Sequence, residues 1–405
     1  MGTKLSLVVG GVCYFFWVFC FLAPSFKSQF PDSDSFIFNR GFITFLLFFT
    51  ATINGFGAGI LWVAQGQYVS DCASDKNKGF FFSYFWAWFM SSQIIGNLLA
   101  ALILGNFEQS TFYIIVSVAA FLGAMIFLLL RRPKKLNLHL SQGPNGEEIK
   151  RDSDSIQLLS SDQVANEKPQ SSFLEDIRQT VKLMFSRKMV LVIPLIVWSA
   201  MSLAAQSGCF VVMMNTTMKE DYPLWSDSKK LEYSLFAMVP LGLGEVMGGF
   251  AHGFVADRYG QRAGVLYLMA ITAVSFAISF AYIGIWSFSV LTFFVTFAWG
   301  IQDSGLNNLL NCVLGFEFES NIIPFSILKF LQSLANFIFL VIESFLNEKI
   351  DFLIYFIAIG IFCYFSLTIM LFFPFKAKKE DNEKLQKEEE RESLNDLKES
   401  GLTQE

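Results

Sequence analysis

Charge is scarce in this chain and histidine nearly absent. Charged residues make up 16% of the 405 positions, and the two histidines are His139 and His252. That poverty leaves little for histidine-based catalysis or metal chemistry. No P-loop, GxSxG or HExxH pattern and no carboxylate cluster in a soluble segment offers an alternative. No enzyme is expected, and no cofactor. The six cysteines form no CxxC pair, and five of them (Cys13, Cys20, Cys209, Cys312 and Cys363) lie inside apolar runs, with Cys72 alone in a loop. Neither a disulfide framework nor a zinc site follows. No basic patch points to nucleic acid.

What fills the space is apolar. Hydrophobic residues reach 53% and phenylalanine alone contributes 48 positions. Runs long enough to cross about 30 Å of hydrocarbon recur at Leu5–Ala23, Gly41–Gln65, Phe80–Leu104, Phe112–Leu130 and Met189–Met213. They continue at Leu235–Val255, Ala263–Ile283, Phe288–Leu314, Ile322–Leu346 and Phe352–Phe373. Buried helices of a water-soluble domain would show a charged face at every turn, and these do not. The fold class is therefore an all-α polytopic membrane bundle of about ten spans. Residues 1–24 are rich in Phe and Trp and lack a small-x-small cleavage site, so they read as a span rather than a cleaved signal.

Four spans precede a polar interval and six follow it. The expected division is a transmembrane half over 1–130, a central loop over 131–188, a second half over 189–375 and a charged tail over 376–405. Within the loop, Ser141–Ser172 is polar and reads as disordered. Phe173, Ile177, Val181, Met184 and Phe185 recur at helical spacing among Arg178, Lys182, Arg187 and Lys188. This is the pattern of an amphipathic helix on the membrane face, or of a solvated linker helix. Asp154–Leu159 fits an acidic dileucine sorting pattern, and Ser153, Ser155, Ser160 and Ser161 are open to phosphorylation. Lysine and arginine favour the flanks that share a side with the N-terminus, which puts both termini in the cytosol. Asn215-Thr216-Thr217, a glycosylation sequon, then falls on the opposite side near a membrane end.

The loop between the sixth and seventh spans reads Gly253-x-x-x-Asp257-Arg258-x-Gly260-x-Arg262. Its glycines let two helices meet at a tight turn, and an aspartate flanked by arginines suits a charge relay across helix ends. The spacing resembles the conformational latch of the major facilitator superfamily. A narrower likeness rests on Gly55-Phe-Gly57-x-Gly59-x-x-Trp62-x-x-Gln65-Gly66-Gln67, on Gly96-Asn97, on Gly242-x-Gly244-Glu245-x-x-Gly248-Gly249, and on Gly300-x-x-Asp303 followed by Lys329-x-x-Gln332-Ser333. These stretches resemble the UNC-ninety-three-like, ion-channel-regulatory family, with greatest similarity to its MFSD-eleven-like subgroup. The resemblance implies the facilitator fold and two classes of function. One is an accessory or trafficking partner of an ion channel or receptor, in the plasma or an endolysosomal membrane. The other is a secondary transporter of ions or small solutes. Family members have six plus six spans, and this chain starts where the third begins, so the expectation is a bundle short of the first two helices.

Intramembrane polar groups are the remaining candidates, because a charge at mid-bilayer costs about 2.5–3.5 kcal/mol on insertion scales and persists only in a protein or wet environment. Glu245 and Asp303 fall near mid-span. Asp303, Asn307 and Asn311 share one helical face, while Lys329, Gln332 or Ser333, and Asn336 share another. The two stripes are expected to face each other with Asp303 and Lys329 as an ion pair. Gln65, Gln67, Asn97 and Gln206 are expected as interhelical glue, and the Gly55/Gly59, Gly244/Gly248 and Gly249/Gly253 pairs as close-packing points.

Overall fold

The computed structural model describes residues 2–33, 35–73, 77–131, 173–318 and 322–376. Before the central loop lie α1 (Thr3–Cys20), α2 (Leu22–Gln29), α3 (Arg40–Cys72), α4 (Lys78–Asn106) and α5 (Gln109–Ile126). After it come α6 (Phe173–Met184), α7 (Arg187–Ala204), α8 (Phe210–Asp221), α9 (Asp227–Tyr259) and α10 (Gln261–Ile285). The series closes with α11 (Val290–Phe316), α12 (Ile322–Glu343) and α13 (Lys349–Leu371). His139, the dileucine pattern, the candidate phosphoserines and the tail beyond Lys376 lie outside the described residues.

Nine helices among the described residues are long and apolar enough to span a bilayer, counting α1 with α2, and α7 with α8, as single spans. The tenth expected span, α11, is absent from that set for a physical reason. Its Gln302, Asp303, Asn307, Asn308 and Asn311 lower its hydropathy, and it can carry them because protein surrounds it, with most of its residues buried. α7 and α8 are joined by a π turn at Ala205–Cys209 rather than by a break. α9 ends at Gly260, whose φ of +91° is a conformation that a residue with a Cβ rarely adopts, and α10 starts immediately after it.

The order of packing sets the geometry. α1 lies against α3 and α5, as α10 lies against α11 and α13. α9 runs between α11 and α4 and makes its most extensive contacts with both. It can come that close because glycines line each side. A side chain on Gly244 or Gly248 would strike the α11 backbone at Phe297 and Ile301, and one on Gly242 or Gly253 would strike α4. Of the expected packing pairs, Gly244/Gly248 is therefore occupied on both members, while in Gly249/Gly253 only Gly253 is tightly met. At Gly55 and Gly59 nothing among the described residues lies within 4 Å of a Cβ. α6 packs against α12 and α7 but leaves Leu174, Ile177, Val181 and Phe185 exposed.

Gly244→Leu should break the α9–α11 contact and cost at least the 1–3 kcal/mol of an overpacked core, read as a lower midpoint in thermal size-exclusion of the detergent-solubilised protein. Gly55→Leu, facing open space, should leave that midpoint in place. Equal losses at the two sites would refute the assignment.

Candidate functional site

Polar groups buried along α7, α9 and α11 form the inner site. Asp303 on α11 accepts a hydrogen bond from Ser202 Oγ of α7 at 2.6 Å and another from Asn307 Nδ2 at 2.9 Å. Lys329 on α12 donates to Gln332 Oε1 at 3.0 Å, and Gln332 Nε2 donates to Ser199 Oγ of α7 at 3.0 Å. Ser199 and Ser202 sit three residues apart, so both point from one face of α7. The expected Asp303–Lys329 ion pair is therefore not formed. Each stripe ends on its own serine on the same face of α7, Ser202 for Asp303 and Ser199 for Gln332. Asn311 is half-buried, and Asn336 Oδ1 is buried without a hydrogen-bond partner among the described residues.

Lys329 instead holds its ammonium 4.9 Å from the Trp62 ring centroid, a cation–π distance. Trp62 donates through its indole N–H to Tyr14 Oη at 3.0 Å and meets Phe89 edge-on. One turn along α3, Gly66 makes room for the Phe325 ring of α12. Gln65 is 9% exposed and its Nε2 has no partner. Gly57 touches Cys13 of α1, whereas Gly96 faces open space and Asn97 is half-buried.

Glu245 is fully buried, and its Oε2 accepts from the Trp86 indole N–H of α4 at 2.9 Å, while Oε1 has no partner. A third buried carboxylate, Glu343 on α12, accepts from Tyr355 Oη and presses against Gly208 in the π turn. Glu343 lies near the end of its apolar run, and Tyr355 gives no sign in sequence of facing it, so this pair escaped a reading based on mid-span charge. π turns often mark functional places.

Asp257 of the loop motif reaches from α9 to the start of α4. Asp257 accepts from the backbone N–H groups of Gly79 at 2.9 Å and Phe80 at 2.8 Å, capping the first turn of α4 from a neighbouring helix. An anion there meets free N–H groups and the positive end of the helix dipole. Ser83 Oγ donates to the Gly249 carbonyl at 2.6 Å. Asn308 Nδ2 donates to the Gly79 carbonyl at 3.2 Å and also to Ser83 Oγ. Three helices are thus tied at one end of the bundle. Arg262 is exposed, and Arg258 lies alongside the Tyr259 ring at 5.9 Å. Asn308 was not singled out in sequence, because its neighbours Asn307 and Asn311 fit the Asp303 stripe and it does not. His252, one turn before Ala256, is fully buried with neither ring nitrogen hydrogen-bonded. Asn215 lies half-buried within helical α8, where its Oδ1 accepts from Ser234 at 3.4 Å, so a glycan there requires α8 to unwind. No group of three or more His, Cys, Asp or Glu suited to a metal occurs among the described residues.

The UNC-93 family profile, described as ion channel regulatory protein UNC-93, matches residues 1–372. The chain belongs to the UNC-93 family. The UNC93-like protein MFSD11 of Xenopus laevis is 23% identical over 368 residues, covering 83% of this chain and 73% of that protein. Among solved structures, a bacterial homologue of the iron transporter ferroportin in an outward-facing state superposes with a TM-score of 0.59 at 12% identity, covering 92% of this chain and 84% of that one. The Escherichia coli fucose:proton symporter FucP gives 0.55 at 12% identity, covering 90% and 84%. At such identities the likeness is one of fold: this UNC-93 member is a multi-pass bundle of the major facilitator type.

Asp257→Ala should cost about 0.5–2 kcal/mol, the range for losing a helix cap, measured by thermal unfolding in detergent, with Asp257→Asn losing less. A double-mutant cycle between Asp303→Asn and Lys329→Gln should be additive within about 0.3–0.5 kcal/mol, since the two share no partner. Strong coupling in that cycle would restore the ion pair.

Proposed function

We propose that this UNC-93 member is an accessory subunit that regulates or escorts another membrane protein, an ion channel or a receptor. The carrying observation is the family match over residues 1–372, whose description is ion channel regulatory protein. The Asp257 end is assigned to the cytosol, since Lys78, Arg187, Lys188, Arg258 and Arg262 gather there.

Secondary transport is the second reading, and one observation favours it. α4 and α9 are tied at the Asp257 end, but at the other end a cavity of about 580 Å³ separates them, lined by Ala101, Leu104, Glu108, Leu231, Glu232 and Leu235. A bundle that rocks about a central site has this asymmetry in one end state. With both carboxylates sequestered, Glu245 by Trp86 and Asp303 by Ser202 and Asn307, a transported cation would have to displace those bonds.

Purification from its native membrane in mild detergent should bring down a membrane protein at fixed stoichiometry; elution as a lone chain, with solute-dependent thermal stabilisation, would favour transport instead. Cys72, the exposed native cysteine at the end of α3, should react with a membrane-impermeant maleimide only after cells are opened. Labelling of intact cells at Cys72 would reverse the orientation.

A further inference from the structure

α7 and α12 run in parallel. They meet where Gln332 donates to Ser199, and again about three turns further on, where Glu343 lies against Gly208. Counted on from α9, α12 starts at the Asp257 end of the bundle and finishes at the other. Its last helical residue is Glu343. Glu343 is 4% exposed, while Ile342 and Ser344 on either side of it are exposed. The enclosed position of this stretch is thus the ionisable one, and an ionisable residue kept inside a span marks function.

Its surroundings are neutral. Tyr355 of α13 donates its hydroxyl to Oε1. Oε2 fills the place a side chain on Gly208 would take, and it has no hydrogen-bond partner. Gly208 and Cys209 belong to the π turn that joins α7 to α8. Among the described residues no charged side chain acts on Glu343 from α3, α6, α7 or α11, which pack against α12, or from α13. The titratable groups that face it are Tyr355 and Cys209. Lys349, beyond the helix end, donates to the Gly284 carbonyl, and Asp351 accepts from the backbone of Asn347 and Glu348. The groups that meet Glu343 all belong to the second half, so its enclosure owes nothing to the first.

A carboxylate with one bare oxygen in such a place is the costly form, because a charge taken out of water needs donors or a counter-charge. A metal ion would need several oxygen ligands around it, and Oε2 is already against the glycine. A proton needs no room. It removes the charge and leaves Oε1 to accept from Tyr355. Once the proton has gone, the charge is tolerated where water reaches Oε2, and Gly208 bars that approach. Loss of the proton and parting of α12 from the π turn are therefore one event. The helix ends at Glu343, so the way to water is short. Glu245, whose Oε1 is also unpartnered, lies near mid-span and has no such outlet.

We infer that Glu343 is a proton-binding site at the extracytosolic end of the bundle, neutral while α12 is seated on the π turn and ionised when the two part. The seated form holds one proton more than the parted form, so acid in that compartment favours the seated form. Over the range in which the two differ by that proton, the ratio of parted to seated chains rises about tenfold per pH unit. The site stands whether the chain escorts a partner or carries a solute.

The test uses the full chain in lipid nanodiscs, its native cysteines replaced and spin labels placed at Lys219→Cys on α8 and Phe345→Cys beyond α12. Distances are read by electron–electron double resonance from about pH 5 to about pH 8, a range that spans the ordinary titration of a carboxyl and its upward displacement. One short distance is expected in acid, with a longer one growing at the slope of a single proton. Glu343→Gln, neutral and of the same shape, should keep the short distance at every pH. Gly208→Ala, whose methyl meets Oε2, should give the long one throughout. If the Gln variant does not elute monodisperse, infrared spectra of the labelled parent with carbon-13 glutamate carry the test. A protonated-carboxyl band should shift in Tyr355→Phe and fade as the long distance appears. Distances that ignore pH would overturn the inference, as would a pH response that survives Glu343→Gln or a seated form with no protonated-carboxyl band. A response to sodium at fixed pH in place of one to pH would also overturn it, by making the ligand a cation.

Discussion

Everything in this bundle depends on how closely α9 approaches its neighbours. Backbone meets backbone on two sides, through Gly244 and Gly248 toward α11 and through Gly242 and Gly253 toward α4. In a bilayer no hydrophobic driving force separates one apolar surface from another, so association rests on contact distance and on the few polar bonds that closeness permits. The Ser83 bond to the Gly249 carbonyl, and that of Thr296 to the Ala237 carbonyl at 2.7 Å, exist because the helices are near enough for a hydroxyl to reach across. The aromatic core around Trp198, Trp299, Phe276 and Phe356 then fills the wider gaps where side chains rather than backbones meet.

The polar interior follows a consistent rule. Each buried acid within the helices of the bundle is matched by a neutral donor from another helix: Ser202 for Asp303, Trp86 for Glu245, Tyr355 for Glu343. Neutral donors satisfy a carboxyl oxygen without adding a second charge that must itself leave water. Lys329 is the exception that has an aromatic face and an amide oxygen but no acid. The two halves also differ in completeness of contact. In the second half α7 and α11 are largely enclosed, while α12 and α13 expose Phe330, Phe337 and Ile361, and α3 and α5 of the first half keep long exposed faces such as Phe45, Phe48, Phe56 and Leu122.

The all-α membrane class and the family were legible because they are written in composition and spacing, which survive without three-dimensional knowledge. α11 was found by its apolar flanks even though its own polarity places it outside the plainly membrane-like helices. Pairing was not legible. Asp303 and Lys329 carry opposite charges on consecutive spans, and sequence favours joining them; each stripe ends instead on a serine of α7, and one-dimensional proximity says nothing about a third helix. Asp257 shows the same limit. Its flanking arginines draw attention, but it also accepts from the backbone amides of Gly79 and Phe80, groups that nearly every residue possesses and no motif can single out. Gly55 and Gly244 look alike as letters and differ entirely in surroundings.

The length of α9 carries a further consequence. At 33 residues it extends about 50 Å, well beyond the roughly 30 Å of hydrocarbon. If Glu245 marks the mid-plane, Asp257 stands about 18 Å along the axis, past the half-thickness of about 15 Å and among hydrated headgroups. The cap on α4 is thus made where water competes for every amide it holds, while the glycine contacts deeper in are made where nothing competes. Separation of α4 from α9 would start at this wet end and meet rising resistance with depth, like a seam that frays at the hem but is stitched in the middle.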